Sequence, residues 1–267
     1  MSKIESSFVC SSMFYDLLYN DKDYAAEVDF IEKVFSVFVN PQSILELGCG
    51  TGNYTKLLRG RGYDITGLDL SEKMIDAAKQ KCDSDFHVGD IRNFSISRKF
   101  DAIIAMFSVI GYLTENSDVE AAFCNIRAHL KPGGLFVFDA WNGLAVLRDL
   151  PEVRVKEVED CDKKILRVAV PKLEAFNHLC VVDYKFLILD KHDKTFEELS
   201  ERHRVRFYFP QEIQFFLKVA GFEVLKICPF LDLDTNVDES VWNMLVVAQA
   251  GSSKKLPVST RKALTRN

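Results

Sequence analysis

Between Ile44 and Asn53 the chain reads ILELGCGTGN, and no other stretch limits the fold as tightly. An apolar run closes on an acid, passes three glycines two residues apart, and opens into Tyr54, Leu57 and Leu58 at helical spacing. This is the pattern of a buried strand, a tight turn and a helix start. Only a backbone without Cβ turns that sharply while letting a ligand press against it, so Gly48, Gly50 and Gly52 predict a cradle. Dinucleotide cradles carry G-x-G-x-x-G, with the third glycine where this chain has Asn53. That spacing argues against a pyrophosphate on the helix end.

The residues that follow repeat the strand-then-helix rhythm. Tyr63 to Leu70 predicts a second strand whose Asp69 lies 17 positions after Gly52. A carboxylate there can accept from both hydroxyls of a ribose, and Ser71 caps the next helix. Asp85 to Ile91 gives a short third strand with Asp90 at its end. Phe100 to Phe107, FDAIIAMF, is continuously apolar, as strands covered on both faces are. Its C-terminal end, Met106 to Ser108, should face the ligand crevice. A helix is expected over Ser117–Leu130, with His129 to Gly134 as its stop and turn and Leu135–Asp139 as the fifth strand.

Upstream, Phe14 to Tyr19 and Tyr24 to Phe38 read as amphipathic helices; Tyr15, Tyr19 and Tyr24 bring hydroxyls that need partners when buried. After Gly143 the style changes. Residues 153–158, 165–170, 180–189 and 199–209 alternate with turn signals and predict three or four antiparallel strands. A helix over Pro210–Ala220 and strands over 222–229 and 241–248 return to the main fold. The expected architecture is a doubly wound, Rossmann-like α/β seven-stranded sheet with an inserted small antiparallel β-sheet. Its parts are 1–145 with the N-terminal helices and the cradle, 146–209 as the insertion, 210–250 as the closing helix and strands, and 251–267 as a basic, disordered tail.

Composition narrows the function classes. Of the net charge of −5, the tail holds five positives and no acid, leaving 29 basic against 39 acidic residues, or −10, on the first 250. An acidic body is a poor partner for nucleic acid or an anionic membrane. Seven scattered cysteines without a C-x-x-C pair, and no signal peptide, point to reduced thiols in the cytoplasm. No apolar run reaches the roughly 18 residues of a membrane span, and no carboxylate pair or histidine cluster has metal-ligand spacing.

The E-L-G-C-G-T-G run resembles the first motif of class I S-adenosyl-L-methionine (SAM)-dependent methyltransferases, and the resemblance extends over about Met13 to Gln249. It implies SAM as cofactor and makes residues 1–145 its binding core. By that resemblance Glu46 helps fix the methionine amine, Gly48, Cys49 and Gly50 pass under the cofactor, and Asp69 holds the ribose. Asp90 takes the adenine amino group, Leu70 and Ile91 sandwich the base, and the main chain at Met106 holds the methionine part. Tyr24 belongs to the same group.

F-Y-D-L-L-Y at the N-terminus, K-D-Y-A-A-E at Lys22–Glu27, M-F-S-x-I-G at Met106–Gly111 and the inserted strands resemble a narrower group, N-methyltransferases of nucleotide-linked amino sugars. Those enzymes carry two adjacent tryptophans where this chain has Trp141-Asn142. The likeness implies a small-molecule acceptor bordered by Tyr15, Tyr19, Phe107, Ser108, Trp141 and Asn142. The insertion would cap the substrate or pair two subunits as a homodimer. Tyr15, Asp139 and His203 are the candidate bases. In Arg202 to Arg206, His203 alternates with arginines that either face a substrate phosphate or lie on a solvated strand. O- or N-transfer to another metabolite, SAM binding without catalysis, and a nicotinamide oxidoreductase are the competing readings, the last disfavoured by Asn53.

Overall fold

The computed structural model describes residues 11–251. Of the lead-in expected over residues 1–12 and the basic tail expected over 251–267, all but Ser11, Ser12 and Gly251 lie outside the described residues, and Ser11 and Ser12 begin a 3-10 turn, Ser11–Phe14.

Strand β1 (Ser43–Leu47) is buried at all five positions, because helices cover both faces of the sheet it centres. It pairs in parallel with β2 (Asp64–Asp69) on one side and β4 (Phe100–Ala105) on the other. Beyond β2 lies β3 (Asp85–Val88), and beyond β4 lies β5 (Leu130–Trp141), all still parallel. Strand β11 (Asn243–Ala250), antiparallel to both its neighbours, and β10 (Phe222–Pro229) complete the order β10-β11-β5-β4-β1-β2-β3. The expected seven-stranded sheet is therefore observed, with its topological switch between β1 and β4.

One face of this sheet packs on α2 (Tyr24–Phe38) and α3 (Asn53–Gly60) through Val28, Ile31, Val34, Phe35 and Leu58. Packed on the opposite face are α5 (Asn116–His129) and α7 (Pro210–Val219) through Val119, Phe123, Ile126, Ile213 and Leu217. Each such buried side chain contributes about 1.5–3 kcal/mol. The helix after β2, α4 (Glu72–Lys81), starts where Ser71 accepts from the Met74 amide.

The Pro132-Gly133-Gly134 run departs from expectation. Instead of a free turn it lies inside β5, where the ladder jumps from Phe100–Leu130 to Ala102–Leu135. Gly133, at φ +77, absorbs that bulge.

A short helix, α6 (Gly143–Arg148), leads into a separate antiparallel sheet of β6 (Arg154–Glu159), β7 (Lys163–Glu174), β8 (Leu179–Asp190) and β9 (Phe196–Arg206). The N-terminal α1 (Tyr15–Leu18) bridges the two sheets: Phe14 and Leu18 pack with Val158, Ile165, Phe186 and Ile188 of the insertion. No helix among the described residues is long and apolar enough to cross a membrane.

Candidate active site

A cavity of about 600 Å³ opens at the C-terminal ends of the parallel strands, where ligands of open α/β sheets bind. Gly48 and Gly50 of the glycine turn line it. Gly48, Gly50 and Gly52 have φ of +63, +53 and +78, a region that L side chains occupy only with strain. The three are not equivalent. A Cβ on Gly48 would come within 2.5 Å of Val109, whereas one on Gly50 would meet nothing closer than the Tyr15 ring at 3.9 Å. Gly48 is needed for packing, and Gly50 leaves space over the cradle.

Asp69 ties the cradle to the next strand: its two carboxylate oxygens accept from the Gly50 and Ser71 amides, each at 2.8 Å. Burial raises its pKa against those hydrogen bonds. Thr51 and Asn53 both donate to Asp16 of α1, at 2.7 and 3.2 Å, and Lys81 donates to all three residues. Burial works against ionisation of Asp16, but the bond from Lys81, with Thr51 and Asn53, outweighs it and lowers the pKa. Asn53, which broke the dinucleotide pattern, thus fastens the N-terminal helix over the turn.

Several sequence-derived candidates line this cavity together. Asp69, Leu70, Asp90 and Ile91 are among its lining residues, as are Met106, Phe107 and Ser108. Tyr15, Tyr19, Trp141 and His203 also line it. Asp90 is partly engaged already, since Arg92 donates to both of its oxygens through Nε, at 2.9 and 3.0 Å, and its Oδ1 also caps the Arg92 amide at 2.9 Å.

Tyr15 faces the cavity as a neutral phenol, because burial and the neighbouring Tyr24 and Tyr19 hold its pKa well above the ordinary value. Its oxygen can accept a hydrogen bond but carries no phenolate charge near neutral pH.

Five candidates stand elsewhere. Glu46 lies beneath the turn, 2% exposed and accepting from the Thr55 hydroxyl; burial pushes its carboxyl up to about 8. Cys49 is buried against Ile75, Ala78 and Phe86, its thiol raised by desolvation. Tyr24 packs edge-on to Tyr54, 5.1 Å between ring centres, behind the cavity wall. Asp139 is 3% exposed and turned toward Ser108, whose amide donates to it at 2.9 and 3.0 Å and whose hydroxyl donates at 3.1 Å. It thereby holds Phe107 and Ser108 at φ +69 and +60, and burial raises its pKa to about 6.

Asn142, expected to border the acceptor, is fully buried away from the cavity. Its carbonyl caps the Leu144 amide at 3.1 Å, and its amide donates to the Asp238 and Val241 carbonyls at 2.8 Å. All its polar atoms are used in anchoring α6 to the loop before β11. Where the family pattern has a second tryptophan at 142, this chain brings the Trp242 ring to 5.9 Å from Trp141.

His203 also differs from both expectations for its strand. It is 5% exposed, and the period of two in β9 puts Glu201 and Val205 on its face, while Arg202 and Arg204 point away. Arg202 pairs with Asp183, and Arg206 with Glu212 and Asn116, so these arginines do not flank His203 in the cavity. A cation that does line it, along with Lys73, is Arg167 of β7, over the Tyr19 and Tyr184 rings at 5.7 and 5.5 Å. Arg167, Tyr112, Tyr184 and Glu201 were not singled out from the sequence. Only the alternation within β9 gave a signal, and it placed Glu201 beside His203.

A family model described as a methyltransferase domain matches residues 44–134, from β1 through the cradle to the start of β5. Residues 44–134 thus resemble a methyltransferase domain. Two relatives from Streptomyces are similar to this chain: the dTDP-3-amino-3,4,6-trideoxy-alpha-D-glucopyranose N,N-dimethyltransferase of Streptomyces venezuelae is 40% identical over 131 residues, 48% of this chain and 55% of that protein. The dTDP-3-amino-3,6-dideoxy-alpha-D-glucopyranose N,N-dimethyltransferase of Streptomyces fradiae is 35% identical over 48% of this chain and 51% of its own. The chain thus spans about half the length of these relatives.

Among solved structures, Streptomyces venezuelae DesVI superposes with a TM-score of 0.75 at 27% identity, covering 89% of this chain and 98% of its own. A SAM-dependent methyltransferase from Clostridium acetobutylicum, 24% identical, matches the fold with a TM-score of 0.77 over 91% and 98%. Both superpositions extend well beyond residues 44–134.

Proposed function

We propose that the protein methylates the amino group of a nucleotide-linked sugar, using SAM as donor. The observation that carries this reading is the open, glycine-lined cradle, tied by Asp69, beside a cavity walled by α1 and the inserted sheet. The Streptomyces relatives with dTDP-amino-sugar names support the choice of acceptor.

The residues present fit the cofactor: space over Gly50 admits a ligand against the backbone, and Asp69 keeps lone pairs for a diol after serving two amides. Gly48, Gly50 and Asp69 would hold it, with Leu70 and Ile91 against the base, Asp90 at the base's amino edge and the Met106 main chain at its other end. When bound, SAM supplies an electrophilic methyl group. The chain's task is then alignment, and fixing two reactants in this way supplies on the order of 7–11 kcal/mol. Tyr15, Tyr19, Phe107, Ser108 and Trp141 would orient the acceptor, and residues 146–209 would act as its cap.

Assay of labelled-methyl transfer from SAM to a panel of dTDP-amino sugars, their deaminated analogues and unrelated small amines tests the proposal. Transfer confined to the amino sugars is expected. Transfer only to hydroxyl or unrelated amine acceptors would replace the acceptor class, and binding without turnover would leave a SAM-binding protein.

Glu46 gives a second test independent of the acceptor. Its carboxyl, raised to about 8 by burial, is largely protonated at neutral pH. A cation bound over the cradle favours the charged form, so SAM binding should release close to one proton. Because the bound state is the less protonated one, affinity should rise with pH up to about 8 and then level off. Calorimetry at pH 7 in buffers of different ionisation enthalpy measures the release. Identical heats in all of them would separate Glu46 from the bound cation.

A further inference from the structure

The cavity wall holds a hydrogen-bonded chain of three side chains. The Tyr112 hydroxyl lies 2.8 Å from His203 Nδ1, and His203 Nε2 lies 3.2 Å from Glu201 Oε2. All three line the cavity. The His203 and Glu201 side chains are 6% and 1% exposed.

The mounting is rigid. Tyr112 ends the short turn Val109–Tyr112, where the carbonyls of Ile110 within it and Leu113 just after it both accept from the Tyr208 hydroxyl, at 3.0 and 3.1 Å. Gly111 lets that turn approach β9 closely, since a Cβ there would meet Val205 at 2.9 Å. The Tyr184 ring stands edge-on to His203 at 4.9 Å.

The protons follow from the donor inventory. With Glu201 ionised, its carboxylate only accepts, so Nε2 carries the hydrogen, and in the neutral imidazole Nδ1 is then the acceptor. Burial keeps the Tyr112 hydroxyl protonated, well above its ordinary pKa, so Tyr112 donates to Nδ1. With both its ring nitrogens engaged, His203 reaches an acceptor through the Tyr112 oxygen.

We propose that Tyr112, His203 and Glu201 form a proton relay that discharges the methylated acceptor. The inference rests on the N-methylation reading above. Once the acceptor nitrogen has gained its methyl group it carries a positive charge and an acidic N–H. That N–H bond breaks as the proton passes to the Tyr112 oxygen, while the Tyr112 hydroxyl proton moves to His203 Nδ1. The product amine leaves neutral, and the imidazolium is stabilised by the Glu201 carboxylate until its proton returns to solvent. Tyr112 is the catalytic residue of the relay; His203 and Glu201 act through it. This differs from a direct base role for His203.

The test uses the full chain with SAM and dTDP-3-amino-3,4,6-trideoxyglucose. Tyr112→Phe, which removes one oxygen, should lower kcat roughly 10²-fold, the low end of general-base effects, with the KM for the sugar and the SAM affinity unchanged within about threefold. His203→Gln should do the same. The double variant should fall no further than the worse single one, because the groups act as a unit. A kcat for Tyr112→Phe within about threefold of the parent, or a double variant slowed by the product of the two single effects, would overturn the relay.

If the parent protein turns over no amino sugar, the acceptor reading fails, and the relay is judged on 15N-histidine spectra. Tyr112→Phe should then move the His203 Nδ1 resonance alone. An unmoved resonance overturns the relay.

Discussion

Gly48→Ala is expected to cost the protein roughly 2–5 kcal/mol of unfolding free energy, the sum of a left-handed backbone penalty and core overpacking. Both terms come from one position: φ is +63, and the new Cβ would sit 2.5 and 2.9 Å from the two Val109 methyl carbons. Val109 cannot retreat freely, because its turn is clamped by Tyr208 through the Ile110 and Leu113 carbonyls.

Gly50→Ala makes the informative companion. It carries a similar backbone strain at φ +53 but meets only the Tyr15 ring at 3.9 Å, so about 1–2 kcal/mol is expected. Its larger effect should fall on SAM affinity, since the added methyl occupies the open side of the cradle. Urea unfolding with and without SAM measures both. Equal stability losses in the two variants would mean that the Val109 contact does not distinguish them.

The contrast between these glycines also marks what the sequence could reveal. The need for residues without Cβ is local, and so it is legible in G-C-G-T-G. Which glycine serves packing and which leaves space is set by Val109, some 60 residues downstream, a contact that no local pattern contains.

Asp69 was legible for the same local reason, standing at the end of a strand that pairs with β1. The face of His203 was half-legible: alternation in RHRVR separates the histidine from its flanking arginines, but which face is inward depends on how β9 docks against the Val109–Tyr112 turn. Arg167 had no signal, being one half-buried cation in a strand of mixed character. Asn142 misled because it follows Trp141 in sequence, and neighbours in an extended segment point to opposite sides. The ring nearest Trp141 comes from position 242 instead.

Asp69→Ala should weaken SAM binding by on the order of 1–3 kcal/mol, a five- to 150-fold rise in Kd, as a hydroxyl partner is left buried and unmet. The same change strips acceptors from the Gly50 and Ser71 amides, so a drop in stability should accompany it. Asp69→Asn separates the two effects. A carboxamide offers one acceptor oxygen where two amides and a diol need several, and its NH₂ group would face a backbone donor. It should therefore restore part of the stability and little of the affinity.

Acidification gives an independent check, because burial raises the Asp69 pKa above that of an ordinary aspartate. Protonation converts one accepting oxygen into a donor. SAM affinity should thus fall at a higher pH than for an exposed carboxylate, and that dependence should vanish in Asp69→Asn. Calorimetric titration of the parent and both variants decides the point. Unchanged SAM affinity in Asp69→Ala would mean that the carboxylate only staples the turn to β2 and that the diol is held by another group.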